Sequence, residues 1–474
     1  MQDQEPQRPD LVIVSNRGPV GFRFDEQGRA VAGKTAGGLA SGLKPLVADG
    51  RSLWLAVAIT EADRVASTRG RIDANGIQLE LLDVDPDIYA DAYDIVSNST
   101  LWFLHHGLFD LARTPVFDRR WHRAWDNYRR FNRLVAEAVA ARAPHAADVL
   151  VQDYHLSLVP RLLAELRSDL AIVHYTHTPF AGADAMGILP TSVGRELAEG
   201  LAGATACGFH TSRWRDGFTS SLRSLGVEPP ATFVAPLAPD TSGIEAVAAD
   251  DACRVERDRI EELRGDMRLI VRVDRLELSK NILRGFQAYA DLLERRPDLH
   301  HRVLFLALVY PSRQSVPEYA AYRREVEALA TSVNGRFGDA DWNPIVLDTE
   351  DDFPRAVAGF TLYDVLLVNP VRDGLNLVAM EGPAVNEAAG VLVLSREAGS
   401  HTFLAGHCLG VNPCDVVETS RALEQALDMD PVARAELAAG LVGELRSRTP
   451  AQWLDAQIQA ARNRAPSGPQ GPVP

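Results

Sequence analysis

The chain has 474 residues, 46% apolar and 24% charged, with a formal net charge of −15. This composition is that of a soluble globular protein, and at about 100–200 residues per domain two or three domains are expected. An acidic chain with no basic block excludes nucleic acid and anionic membrane as main partners, while leaving room for a local cationic pocket.

The opening "MQDQEPQRPD" lacks the apolar core of a signal peptide, and no apolar run approaches the roughly 20 residues a membrane span needs. Cys207, Cys253, Cys408 and Cys414 form no C-x-x-C pair, so a reduced, cytoplasmic protein is expected. In chain order, strands are predicted at "DLVIVSN" (10–16), "SLWLAVA" (52–58), "DVLVQDY" (148–154) and "LAIVHYT" (170–176). They continue at "RLIVRVD" (268–274), "RVLFLALV" (302–309), "YDVLLVN" (363–369) and "GVLVLSR" (390–396). Several are apolar on both faces, as strands buried in a parallel sheet are. Helical patterns such as "NILRGFQAYADLLERR" separate them, which predicts a doubly wound α/β fold. The Pro/Gly/Ser/Asp-rich passage 235–250 divides the strands into two sets. Residues 1–240 and 241–447 are therefore expected as two Rossmann-like domains. A last helix, about 448–465, is free to pack back on the first, and 466–474 reads as a disordered tail.

Open α/β sheets bind ligands beyond the carboxyl ends of their strands, so charges at strand ends carry the functional information. The first strand ends in "SNRGPVGF" with Arg17. In "AGGLASGL", Gly37 and Gly38 let backbone amides approach a phosphate, although a plain Gly-rich turn is equally open without a G-x-G-x-x-G fingerprint. The D-x-D tripeptides 83–85 and 339–341 suit Mg²⁺, but chance matches are common in an acidic chain and no metal is expected. "VQDYHL" puts Asp153 where a carboxylate can hold sugar hydroxyls. "HYTHTPF" presents His177 before a proline, for which a satisfied loop histidine is the plainer reading. "RVDRLELSKN" supplies Arg272, Arg275 and Lys280. Arg272 sits inside an apolar strand, where an unpaired charge is costly. If the segment loops back, Arg272 and Lys280 converge and suit a departing diphosphate. In "PVRDGLNLVAME" the amides near Asn376, Leu377 and Val378 open a helix and attract phosphate. Glu381, one turn in, can hold ribose hydroxyls, and Asp373 a sugar hydroxyl. A tight turn capped by Asp373 is the alternative.

Taken in order, "SNRGP…AGGLASGL", "YDIVSNSTLW", "VQDYHL", "HTPF", "VRVDRLELSKN", "YPSR", "NPVRDGLNLVAME" and "VLVLSREAG" resemble the trehalose-6-phosphate synthase family of retaining glycosyltransferases, from about Leu11 to about Leu427. The resemblance implies a GT-B fold, two Rossmann-like domains facing each other across a cleft, with no cofactor, no obligatory metal, and assembly as a homo-oligomer. It implies a nucleotide-glucose donor held mainly by the C-terminal domain and a sugar-phosphate acceptor held mainly by the N-terminal one. Gly37, Gly38, Arg272, Lys280 and the amides of Asn376 to Val378 match the diphosphate site. Glu381 matches the ribose ligand, Phe360 lies beside the base pocket, and Asp373 and His177 match the transferred glucose. Arg17, Tyr93, Trp102 and Arg313 match the acceptor-phosphate pocket, and Asp153 the acceptor sugar. No carboxylate matches the nucleophile of a double displacement.

The chain departs from the family at Val57, where an aromatic residue is missing, and at His210, Thr361 and Met380, where glutamine, arginine and lysine are usual. These departures resemble the actinobacterial branch, in which GDP-glucose donors and relatives coupling aminocyclitols occur. A glucosyltransferase making trehalose 6-phosphate is the leading expectation. A pseudo-glycosyltransferase joining a nucleotide-cyclitol to an amino-cyclitol phosphate, or a non-catalytic regulatory paralogue, is the alternative.

Overall fold

The computed structural model describes residues 11–33, 52–74 and 76–463. By its internal contacts the chain divides into two compact units, Met1–Leu237 with Pro450–Pro474, and Ala238–Thr449. Gly37 and Gly38 lie outside the described residues, as does the expected tail from 466 on. Among the described residues, no helix is long and apolar enough to cross a membrane.

The first unit carries β1 (Leu11–Val14), β2 (Phe22–Phe24), β3 (Ala30–Ala32), β4 (Leu53–Val57), β5 (Arg71–Asp73), β6 (Gln78–Leu82), β7 (Asp148–Gln152), β8 (Ala171–Thr176), β9 (Ala206–Phe209) and β10 (Ala231–Val234). β2 and β3 form a separate hairpin, and the other eight make one sheet in the order β10-β9-β8-β7-β1-β4-β6-β5. Its pairs are parallel except β5 with β6. β1, β4 and β7 are buried along their whole length, which is why they read as unbroken apolar runs. β5 is a charged edge strand and β10 is half-exposed, so neither produced a pattern. The order reverses between β1 and β7, so the loops after those strands are the natural ligand position of this sheet. The helix Pro450–Arg462 belongs to this unit and buries Trp453, Leu454 and Gln457.

The second unit carries β11 (Arg268–Arg275), β12 (Val303–Tyr310), β13 (Ile345–Asp348), β14 (Val365–Val368), β15 (Val391–Ser395) and β16 (Leu409–Val411). They form one parallel sheet in the order β13-β12-β11-β14-β15-β16. Counted from β11, this is the 3-2-1-4-5-6 order of the dinucleotide-binding sheet, with its switch point between β11 and β14. Phe286, Tyr289 and Leu292 of the helix Ile282–Arg295 pack on Phe305 and Val303 of β12 in the core over one face. Both units are thus Rossmann-like, and the architecture is the GT-B fold.

Candidate active site

In the first unit, Arg17 leaves β1 exposed to solvent. Asn16 beside it is buried and exchanges hydrogen bonds with the Tyr89 hydroxyl, Nδ2 donating at 3.1 Å and Oδ1 accepting at 3.2 Å. Tyr89 stacks on Tyr93 at 5.3 Å, and Tyr93 on His155 at 5.6 Å. Tyr93 sits in a π-helical stretch, Asp91–Leu101, a wound-out geometry that recurs at functional sites. Asp153 follows β7 with a left-handed φ of 71°. Its Oδ1 accepts the His177 backbone N–H at 3.2 Å, across the ends of β7 and β8. The loops after β7 and β8 therefore bring Asp153 and His177 into contact, with Arg17 just after β1 and Tyr93 in the helical stretch Asp91–Leu101. Trp102 differs: it is 2% exposed and its ring lies 4.2 Å from that of His106.

His177 Nε2 is 2.9 Å from Gln152 Oε1, and Gln152 Nε2 donates to Gln457 Oε1 at 3.1 Å. Burial, reinforced by His210 and His174, holds the His177 imidazole well below its ordinary pKa. It is neutral at working pH and already engaged at Nε2. That suits a group that positions a sugar, not one that collects a proton.

In the second unit, the loops at the β11/β14 switch point meet. Lys280 Nζ donates to Asp373 Oδ2 at 2.8 Å and lies 3.8 Å from Asp274 Oδ1. Burial would lower the ammonium's pKa, but Asp373 and Asp274 outweigh it and raise it, so Lys280 stays cationic. Asp373 also accepts the Leu375 N–H at 3.3 Å and the Asn376 amide at 3.2 Å. The Asp373 cap over the next helix is not formed: the helix Val378–Val385 carries no side-chain cap at Leu377, and Asn376 Oδ1 accepts the Ala379 N–H at 3.3 Å. The loops after β14 and β15 are zipped together, Asp373 N–H to the Glu397 carbonyl at 3.1 Å and Gly399 N–H to the Asp373 carbonyl at 3.1 Å. A Cβ on Gly399 would come within 2.0 Å of the Gly374 carbonyl oxygen, so this approach requires glycine. Arg313, beyond β12, donates to the Tyr319 hydroxyl at 2.6 Å and lies 3.7 Å from Glu277.

Arg272 has no exposed surface, and it donates to Asp274 at 2.9 Å, Asn369 at 2.8 Å and the Lys280 carbonyl. It converges with Lys280 as a buried strut. The cation at the strand's end is Arg275, whose side chain is 44% exposed and 2.9 Å from Glu277. Strand alternation was the signal that finds it: Arg272 and Asp274 share one face of β11, and Arg275 terminates it. Burial would raise Glu277, but Arg275 and Arg313 outweigh it and hold its carboxyl at about 2.

The departing positions also find local explanations. Met380 is completely buried, so methionine there buries no charge. Thr361 turns its hydroxyl to the Ala358 carbonyl at 2.8 Å. His210 is buried and accepts the Leu237 N–H at 3.3 Å. Phe360 is 1% exposed and Val57 3%, so both are core residues. One aspartate of each D-x-D pair is engaged locally: Asp85 caps the helix Pro86–Ala90 by accepting the Asp87 and Ile88 N–H groups, and Asp339 accepts those of Asp341 and Trp342.

Burial, only partly offset by Lys280, pushes Glu381 up to about 7. If Glu381 holds ribose, as the resemblance implies, it must be ionised to accept hydrogen bonds from two hydroxyls. Donor KM is therefore expected to fall by up to about tenfold between pH 6 and pH 8, as the ionised fraction rises; Glu381→Gln should flatten that profile. The same raised pKa makes this carboxyl oppose folding as pH rises through 7, because the unfolded chain has already ionised it.

Three comparisons place this geometry. The model of glycosyltransferase family 20 matches residues 9–463. The chain is 34% identical over 480 residues to the trehalose-6-phosphate synthase of Mycobacterium sp. (strain JLS), covering 95% of this chain and 96% of that one. It superposes on the E. coli trehalose-6-phosphate protein bound with UDP-2-fluoro glucose with a TM-score of 0.84 at 28% identity, covering 96% and 99% of the two chains. For a UDP-forming alpha,alpha-trehalose-phosphate synthase of Burkholderia xenovorans in complex with glucose-6-phosphate, the TM-score is 0.82 at 26% identity, covering 96% and 100%.

Proposed function

The chain belongs to glycosyltransferase family 20 and is a glycosyltransferase, and from that premise we propose that it transfers glucose from a nucleotide-glucose to glucose 6-phosphate, giving trehalose 6-phosphate. The observation that carries this reading is the meeting of Lys280 and Asp373 at the β11/β14 switch point, 2.8 Å apart, with Arg275 at the end of β11. A cation and a carboxylate there serve the two halves of a sugar diphosphate.

The reaction breaks the bond between the glucose anomeric carbon and the diphosphate oxygen. The acceptor's anomeric hydroxyl oxygen forms the new bond to that carbon on the same face, so configuration is retained. Its proton passes to the departing phosphate oxygen. Negative charge grows on the diphosphate as the bond breaks, and Lys280, Arg275 and the amides of Asn376, Leu377 and Val378 stabilise it. Asp373 holds the glucose hydroxyls as a hydrogen-bond acceptor. By the family resemblance, His177 and Asp153 are the candidates for positioning the reacting sugars, and Arg17, Tyr93 and Arg313 for holding the acceptor phosphate.

GDP-glucose is the favoured donor, because the departures at Val57, His210, Thr361 and Met380 resemble the branch that uses it. A thermal-shift panel with GDP, UDP and ADP is expected to show the largest stabilisation with GDP, about 2.7 kcal/mol at a hundred times its Kd; an equal or larger shift with UDP or ADP removes the GDP assignment. Product analysis with nucleotide-glucose and glucose 6-phosphate tests the whole reading. Trehalose 6-phosphate is the expected product, and its absence with turnover of cyclitol substrates sinks it. Arg313→Ala is expected to raise acceptor KM roughly tenfold or more, as loss of a charged hydrogen bond does, with little change in donor KM. Equal effects on both would remove Arg313 from the acceptor phosphate.

A further inference from the structure

β11 is apolar and buried at Leu269, Ile270, Val271 and Val273, yet between and beyond them it buries Arg272 at 0% and Asp274 at 5% exposure. A buried ion pair is poor value for stability, since well-packed apolar residues of the same volume often do as well or better. The pair's contacts point elsewhere. Arg272 Nε donates to Asp274 Oδ2 at 2.9 Å, and Nη2 donates to the backbone carbonyl of Lys280. The other oxygen of Asp274 stands 3.8 Å from Lys280 Nζ. One guanidinium thus grips Lys280 by its main chain and orients the carboxylate that faces its ammonium.

The surroundings are built around this grip. Gly285 opens the space, for a Cβ there would lie 2.5 Å from Arg272 Nη1. Nη1 itself donates to Asn369 Oδ1 at 2.8 Å. Asn281, next after Lys280, takes a left-handed φ of 60° and donates from Nδ2 to the Asn369 carbonyl at 2.9 Å and the Pro413 carbonyl at 2.7 Å. Lys280 is therefore fixed on both sides: by Arg272 at its own carbonyl, and by Asn281 at the ends of β14 and β16.

We propose that the buried Arg272–Asp274 pair is a positioning device that aims the Lys280 ammonium, and this rests on the reading of Lys280 as the diphosphate's cation. On this proposal neither member touches substrate. The test is the double variant R272M/D274N, which removes both charges together and leaves no unpaired buried ion. It is expected to fold with a melting temperature near that of the parent, to lose about 10–100-fold in kcat, as misplacement of a catalytic group does, and to shift donor KM while acceptor KM stays constant. Arg272→Lys supplies the second arm: it keeps a cation for Asp274 but lacks the guanidinium fork that reaches the Lys280 carbonyl. An intermediate kcat with parental acceptor KM is expected there. Lys280→Ala runs in parallel. If Lys280→Ala is impaired while the folded double variant, or Arg272→Lys should the double variant not fold, keeps parental kcat and donor KM, the positioning role is overturned. If Lys280→Ala itself keeps full turnover, the reading of Lys280 falls first and the proposal with it. A loss that raises acceptor KM in proportion marks general disruption and also overturns it.

Discussion

Lys280→Ala is expected to lower kcat by roughly 10²–10³-fold, the loss that follows removal of one preorganised charge from a transition state. The lysine is 11% exposed, so its field acts on the leaving group with little screening by water. Its charge matters most when the diphosphate gains charge, so kcat should fall much more than donor KM rises. One complication is separable. Removing Lys280 also takes a cation from Asp373, 2.8 Å away. Lys280→Ala combined with Asp373→Asn removes that carboxylate's charge as well. If the double variant recovers most of the lost turnover, the defect was the altered charge balance at Asp373 and Lys280 carries no transition-state role. Turnover of the double variant at or below that of Lys280→Ala is the result expected of a true diphosphate ligand.

How much of this site was legible follows from what strand patterning encodes. The eight strands predicted from apolar runs are all present, because a strand covered on both faces must be apolar throughout. Most missed strands face solvent on one side or are short: β6 alternates buried and half-exposed residues, β16 has three residues, and β13 is buried only at its first position; β9 was missed although buried throughout, because its four residues, ACGF, give too short an apolar run. Asp153, His177, Lys280 and Asp373 were singled out because each follows such an apolar run, where an α/β sheet delivers ligands. That Arg272 is fully buried shows only in the structure, although its spacing from Asp274, two positions on along the same face of β11, was legible. The π-helical stretch around Tyr93 and the relay from Gln457 through Gln152 to His177 depend on tertiary packing, and no local pattern announces either.

Arg275→Ala separates the two arginines of β11. Arg275 carries the exposed guanidinium at the switch point, so its loss is expected to lower kcat/KM for the donor by about 100-fold, comparable to loss of one preorganised donor to a developing charge. The neighbour that complicates this prediction is Glu277, 2% exposed and 2.9 Å from Arg275. Without Arg275 it keeps the Ser312 hydroxyl at 3.0 Å and Arg313 at 3.7 Å. Its carboxyl pKa should rise from about 2, since burial opposes ionisation and one of the three cations holding it down, Arg275, Arg313 and Lys280, is gone. Glu277 would then lean more heavily on Arg313, the proposed acceptor-phosphate ligand. Two outcomes follow from these distances. If Arg275 serves the donor diphosphate, donor kcat/KM falls and acceptor KM stays within about twofold of the parent, a change too small to signal loss of a charged hydrogen bond. If Arg275 serves only to neutralise Glu277, acceptor KM rises instead, and Arg275→Ala with Glu277→Gln restores both substrates. The first result assigns the diphosphate to the strand's terminal arginine and leaves Arg272 as its buried support; the second returns Arg275 to the scaffold.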